Sequence, residues 1–253
     1  MNDPRAVDLW TLPEDRVQEL ASGMGGLVLL TPDERARHHR LRAGCRRRFL
    51  GGRLLCRLAL SARTGLPPAT WRFVRTGHGR PELAADHDGL RFNVSHTDGL
   101  IVCAVVRGRG CGVDVERVPF DDDKATRLNA LLDGPSDAEA EARADADARG
   151  LGVAVSERWV LTEAYLKGLG VGLADGLPDL AFRRHGDGRF TVTDHLRPAL
   201  AARWELALLR PSPHHLVAVA TEDGGPLRWR PVPPMHPMHP MHRIQPVQAT
   251  PYR

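Results

Sequence analysis

Residues 90–116, LRFNVSHTDGLIVCAVVRGRGCGVDVE, decide the reading of this chain. Three runs rich in valine, leucine and isoleucine, Leu90 to His96, Leu100 to Val106 and Cys111 to Glu116, are separated by Thr97-Asp98-Gly99 and by Arg107 to Gly110. Short apolar runs punctuated by glycine turns are the pattern of strands joined by tight links. The spacing predicts a three-stranded meander whose first and third strands run the same way. Ser95 and His96 then finish at the same end of the sheet as Asp114 and Glu116. Asp114 and Glu116 are two residues apart, so both carboxylates project from one face of their strand.

Upstream, Ala6 to Leu12 alternates in the strand period, and Pro13-Glu14-Asp15 opens a short helix. Thr31-Pro32-Asp33-Glu34 is a helix start, with an N-cap residue, a first-turn proline and acids facing the dipole. Two helices follow. The second, from about Gly44 to Arg63, directs Phe49, Leu54, Leu55, Leu58 and Leu60 to a core and groups Arg46, Arg53 and Arg57 on another face. Trp71 to Arg75 reads as a strand and Thr76 to Pro81 (TGHGRP) as a glycine-rich loop. Downstream, Pro119 to Gly150 reads as loop and exposed helix. Ser156 to Leu169 reads as a helix with Ser156 at its N-cap, and Leu180–Arg184, Arg189–Thr193, Arg203–Arg210 and Leu216–Thr221 as a second antiparallel meander. Helix followed by meander occurs twice. The expected architecture is therefore α+β, with two similar subdomains (1–110 and 111–227) related by a pseudo-twofold and a cleft between them. From 228 to 253 the repeated prolines and the Met-His-Pro repeat (Met235 to His242) cannot build a core and read as a disordered tail.

Charge is distributed unevenly. Residues 31–63 hold ten arginines against two acids, and residues 121–150 hold nine acids against four bases. The first segment wants an anion. Only Lys124 and Lys167 are lysines among the 35 lysines and arginines. Cys45, Cys56, Cys103 and Cys111 show no CxxC or metal-ligand spacing and are expected to stay reduced and structural. The longest clean apolar run, Leu100 to Val106, is far short of the ~20 residues of a membrane span, and there is no signal-peptide pattern. A cytoplasmic protein without a membrane partner is expected.

Four constellations carry chemistry. Asp114 and Glu116 offer hard oxygen ligands of the kind magnesium takes alongside a substrate phosphate. Trp159, Glu163 and Lys167 share a helix face at successive i, i+4 positions, so a carboxylate and an ammonium are presented together. Ser95 and His96 at a strand end, and Arg80 in the loop Gly77-His78-Gly79-Arg80-Pro81, could hold a phosphate through charge-assisted hydrogen bonds. Taken singly, the acid alternation equally suits the wet face of an edge strand, and Glu163–Lys167 an ordinary helical pair. A Ser-His hydrolase lacks its GxSxG elbow, and a nucleic-acid module leaves the three acids unexplained.

In combination and in order, GxGRP, FNVSH, GVDVE and W-x3-E-A-Y-x-K, preceded by an arginine-bearing helix, resemble the Sfp-type 4'-phosphopantetheinyl transferase family across about residues 6–221. That resemblance implies transfer of the phosphopantetheine arm of coenzyme A to a serine of an apo carrier protein, with 3',5'-ADP leaving and Mg2+ required. It implies metal ligation by Asp114, Glu116 and Glu163, and phosphate contacts from Ser95, His96, Arg80 and Lys167. It places Arg57 at the 3'-phosphate with Arg53 as its neighbour, and Arg37 and Arg40 farther out. Glu163 is the implied base for the serine and Lys167 its catalytic partner. A monomer is implied too, because both sides of the cleft come from one chain. The chain departs from the family in having Thr162 where many members carry lysine.

Overall fold

The computed structural model describes residues 3–75, 79–132, 150–172 and 179–235. Two sheets pack face to face. The first has the order β11–β1–β5–β4, where β1 is Val7–Pro13, β4 is Leu90–Thr97, β5 is Leu100–Arg107 and β11 is Leu227–Pro231. The second has the order β6–β10–β9–β8–β7, formed by Cys111–Arg117, His215–Glu222, Trp204–Ser212, Arg189–Asp194 and Leu180–Arg184. A small pair, β2 (Phe73–Arg75) and β3 (Pro81–Leu83), stands apart.

Why β5 reads as a continuous apolar run is visible in its packing. Ile101, Cys103 and Val105 face α3 (Ala43–Thr64), where Leu54, Leu55, Cys56, Ala59 and Leu60 meet them. Leu100, Val102, Ala104 and Val106 face the second sheet, against Val113, Val115, Val217 and Val219. A strand buried on both faces has no polar side to alternate with. The second sheet repeats the arrangement, with Leu216, Ala218 and Ala220 turned toward Val160, Leu161, Ala164 and Tyr165 of α5 (Leu151–Leu169). The result is an α+β fold in layers: helix, sheet, sheet, helix. Around this frame lie α1 (Val17–Met24), α2 (Pro32–Arg40), α4 (Asp122–Leu132) and the short turn α6 (Pro198–Ala201). No helix among the described residues is long and apolar enough to cross a membrane.

Three expectations are corrected. First, β6 is not the third strand of a meander: β4 and β5 form a hairpin, and β6 pairs with β10 in the second sheet. Both faces of β6 need cover, and only there does it lie against α5 on one face and the first sheet on the other. Contact with β4 is kept through side chains, Asn93 Oδ1 accepting from the Val113 N–H at 3.0 Å. Second, Ser156 is inside α5 rather than at its N-cap. Its hydroxyl donates to the Gly152 carbonyl and accepts from the Phe120 N–H at 3.2 Å. Third, the chain does not become a free tail at 228. Leu227–Pro231 runs parallel to β1, Val232 is buried, and Met235 packs on the core beside Gly23. The remainder of the Met-His-Pro repeat, the Gly77-His78 part of the loop and residues 133–149 lie outside the described residues.

Candidate active site

The capping box of Thr31 and Glu34 starts α2 and fixes Glu34 in a buried position. Its carboxylate then receives Arg57 Nη2 at 2.7 Å and Arg53 Nε at 3.1 Å. Arg57 is fully enclosed, 0% exposed, and lies over the Phe73 ring. It faces Glu34 and does not line the cleft. Its neighbour Arg53 is the one that reaches open space. The arginines grouped on one face of α3 are thus separated: Arg46 turns to the His39 and Leu41 carbonyls, Arg57 inward, Arg53 to the cleft.

That cleft, of about 350 Å³, is walled by Arg37 of α2, Arg48, Phe49 and Arg53 of α3, Ser95 and His96 of β4, and Lys167 of α5. Its ionisable lining is basic throughout. Phe49 holds Arg37 and Arg53 by stacking, with guanidinium carbons 5.4 and 5.1 Å from its ring centroid. Desolvation, reinforced by neighbouring arginines, pushes Arg37 below the ordinary arginine value, and desolvation also outweighs Glu34 at Arg53. Both remain charged at neutral pH, so the cleft carries crowded positive charge. His96 is likewise pushed down, by desolvation first and then by Arg48 and Lys167. Arg80 lies beside the cleft. It donates to the Lys167 carbonyl at the end of α5 and faces the Cys111 carbonyl at 3.5 Å, tying the loop to α5 and β6.

At the inner end of the cleft, α5 and β6 bring the acids together. Gly112 makes this possible, because a Cβ there would collide with the Ala164 carbonyl and the Gly168 backbone. Lys167 Nζ lies 2.5 Å from Asp114 Oδ1, 3.3 Å from Ser95 Oγ and 3.5 Å from Glu163 Oε2. Ser95 also donates to Asp114 Oδ1 at 2.8 Å. Burial alone would lower the Lys167 ammonium, but Asp114 and Glu163 outweigh it and hold it above the usual lysine value. Burial raises the Glu163 carboxyl, Lys167 opposes this, and the charges of Asp114 and Glu116 add to it.

The expected three-acid metal cluster is not assembled: no group of three or more His, Cys, Asp or Glu among the described residues is placed to hold a metal ion. Glu116 is drawn away to Lys124 Nζ at 3.1 Å. The Asp114–Glu163 pair nonetheless fits a hard divalent cation. Two carboxylates converge on one positive charge, and Asp114 Oδ2 is buried without a hydrogen-bond partner. Of the residues named from sequence, Ser95, His96, Arg53, Lys167, Asp114 and Glu163 meet at this site, while Arg57 and Arg80 support it. Arg48, and Phe49 expected only in the core, were not expected in the cleft. Their signal was the spacing 48, 49, 52, 53, which is one helix face. Thr162 is buried outside the cleft lining, its hydroxyl without a hydrogen-bond partner among the described residues.

Fold and site together define an α+β protein that holds an anion-attracting cleft, ending in a carboxylate–ammonium cluster, between its halves. Residues 26–107 match the model described as 4'-phosphopantetheinyl transferase, N-terminal, and residues 110–220 match that of the 4'-phosphopantetheinyl transferase superfamily. The chain is 31% identical over 233 residues to the 4'-phosphopantetheinyl transferase HetI of Nostoc sp., covering 89% of this chain and 90% of that one. It is 28% identical to a phosphopantetheinyl transferase of Thraustochytrium sp. over 87% of this chain and 80% of that one. It is 31% identical to a 4'-phosphopantetheinyl transferase of Bacillus subtilis over 57% of this chain and 62% of that one. The chain belongs to the 4'-phosphopantetheinyl transferase superfamily and is a transferase enzyme.

Proposed function

We propose that this enzyme moves the 4'-phosphopantetheine group of coenzyme A onto a serine hydroxyl of an apo carrier protein and releases 3',5'-ADP. The observation that carries the reading is the cleft of Arg37, Arg48, Arg53, His96 and Lys167 leading directly to Asp114 and Glu163. Coenzyme A brings a pyrophosphate and a 3'-phosphate, and guanidinium forks bind such oxygens in pairs. Arg37, Arg48 and Arg53 take the 3'-phosphate side with Ser95 and His96, and Lys167 takes the pyrophosphate. Arg57 and Glu34 hold Arg53 in place, and Arg80 holds the loop against α5.

The reacting bonds balance simply. The carrier serine oxygen forms a bond to the phosphorus bearing pantetheine, the bond from that phosphorus to the bridging oxygen breaks, and the electron pair leaves on 3',5'-ADP. Glu163 receives the serine proton, a role suited to a carboxyl whose proton affinity burial has raised. Asp114 and Glu163, joined by Glu116 once released from Lys124, would hold Mg2+, which when bound supplies charge neutralisation for the diphosphate. An acidic carrier surface is steered by the arginines of residues 35–48 outside the cleft.

The test is incubation of a panel of apo acyl, polyketide and peptidyl carriers with coenzyme A and MgCl2, read by mass spectrometry. One or more carriers should gain a phosphopantetheine group, and Glu163→Gln should abolish the gain. A full panel left unmodified by the wild-type enzyme refutes the reading.

A further inference from the structure

The two lysines of this chain are both spent on the acids of the site. Lys167 Nζ meets Asp114 and Glu163, and Lys124 Nζ meets Glu116. Elsewhere among the described residues the cationic partners of acids are arginines, such as Arg53 and Arg57 on Glu34 and Arg63 on Asp8, apart from one histidine contact at 3.9 Å. The two cations differ physically. A guanidinium locks a carboxylate with a rigid, planar fork, whereas an ammonium is a point charge on a flexible stem that leaves without moving the backbone. Where the acids must be held but also released, the chain has the releasable cation.

We propose that Lys167 and Lys124 are resident, displaceable counter-ions, and that a divalent cation enters by exchanging with them at Asp114, Glu163 and Glu116. This rests on the transferase reading only in naming what the displaced Lys167 then meets. Lys167 stands on the boundary of two environments, bound to the acid pair on one side and lining the arginine cleft on the other. An ammonium 2.5 Å from Asp114 Oδ1 and 3.5 Å from Glu163 Oε2 repels a divalent ion brought to the same two carboxylates, so binding of one weakens the hold of the other. The expelled ammonium has the cleft to enter, where it adds positive charge facing a phosphate. Cation entry and phosphate binding are thereby coupled through one side chain, and each strengthens the other. Without the exchange partner, buried Asp114 and half-buried Glu163 face each other without a counter-charge, a costly arrangement that a counter-ion removes. The same exchange accounts for Glu116 standing apart: Lys124 keeps it, half-buried, until a stronger cation competes.

Mn2+ titration by calorimetry and by electron paramagnetic resonance, with neither coenzyme A nor carrier present, tests this. Lys167→Met should bind Mn2+ at least about tenfold more tightly than the wild type, because the competing charge is gone. Lys124→Met should tighten binding to a smaller degree, its partner being more exposed. Lys167→Arg should not tighten it, and Asp114→Asn should weaken it in every background. If Lys167→Met does not fold, Lys167→Gln carries the same expectation, and Mn2+ should raise its melting temperature more than that of the wild type. Equal or weaker Mn2+ binding by the lysine-free site overturns the proposal. The titration needs no acceptor, so it is read independently of the transfer assay: a wild type that transfers nothing while Lys167→Met tightens refutes the transferase reading alone.

Discussion

Lys167 is the residue on which the site turns, because its ammonium is within reach of Asp114, Glu163 and Ser95 at once. Lys167→Ala removes the cation facing the diphosphate, and turnover of coenzyme A is expected to fall roughly a hundredfold. Steady-state kinetics with unchanged kcat and KM would contradict its assigned role. His96 gives a second prediction, in pH. Desolvation and the charges of Arg48 and Lys167 hold its imidazole below the ordinary value. Above about pH 6.5 folded and unfolded chains are both neutral there, and His96 costs nothing. As pH falls below that value the unfolded chain takes up the proton first, and stability is lost down to the folded pKa. His96→Asn should therefore lose slightly less stability than the wild type between neutral and mildly acidic pH, a small difference because the His96 side chain keeps contact with solvent, measured by denaturant melts. Equal losses would remove His96 from the argument.

At the scale of elements, the site is the contact of β6 with α5. Strand period placed Asp114 and Glu116 on one face, and helix period placed Glu163 and Lys167 on one face; sequence showed both. What it did not show was that β6 leaves the hairpin of β4 and β5, since that depends on which strand offers β6 a partner and a cover. Gly112 is the enabling residue, with its α-carbon pressed on the Ala164–Gly168 stretch of α5. Gly112→Ala should destabilise by about 3 kcal/mol, the upper end for overpacking, because backbone rather than a flexible side chain must yield. Activity should fall with it as Asp114 is moved off Lys167. A variant that melts like the wild type and transfers normally would show that β6 and α5 are not so closely pressed.

For the whole molecule, β1 and β11 are joined through one carboxylate. Asp8 of β1, only 3% exposed, meets Arg63 at 2.7 Å, Arg230 at 2.8 Å and Arg228 at 3.1 Å. It thereby fastens the end of α3 and β11 to β1. Asp8→Ala leaves the buried Arg63 guanidinium without its carboxylate and should cost about 3 kcal/mol in chemical denaturation. A loss below about 1 kcal/mol would mean that the strand pairing alone holds β11.

The strands of the two sheets other than β11, the helices α2, α3 and α5, and the motif residues Ser95, His96, Asp114, Glu163 and Lys167 were legible in the sequence by period and spacing, because local conformation and side-chain direction follow from neighbours along the chain. Tertiary structure alone decided the rest. It buried Arg57 against Glu34, opened Arg48 and Arg53 to the cleft, gave each acid of the site a lysine, and drew Leu227–Pro231 back onto β1. The reason is common to all four: which cation meets which carboxylate, and which edge a strand joins, are set by distances between segments far apart in sequence, and no local pattern encodes a distance it does not span.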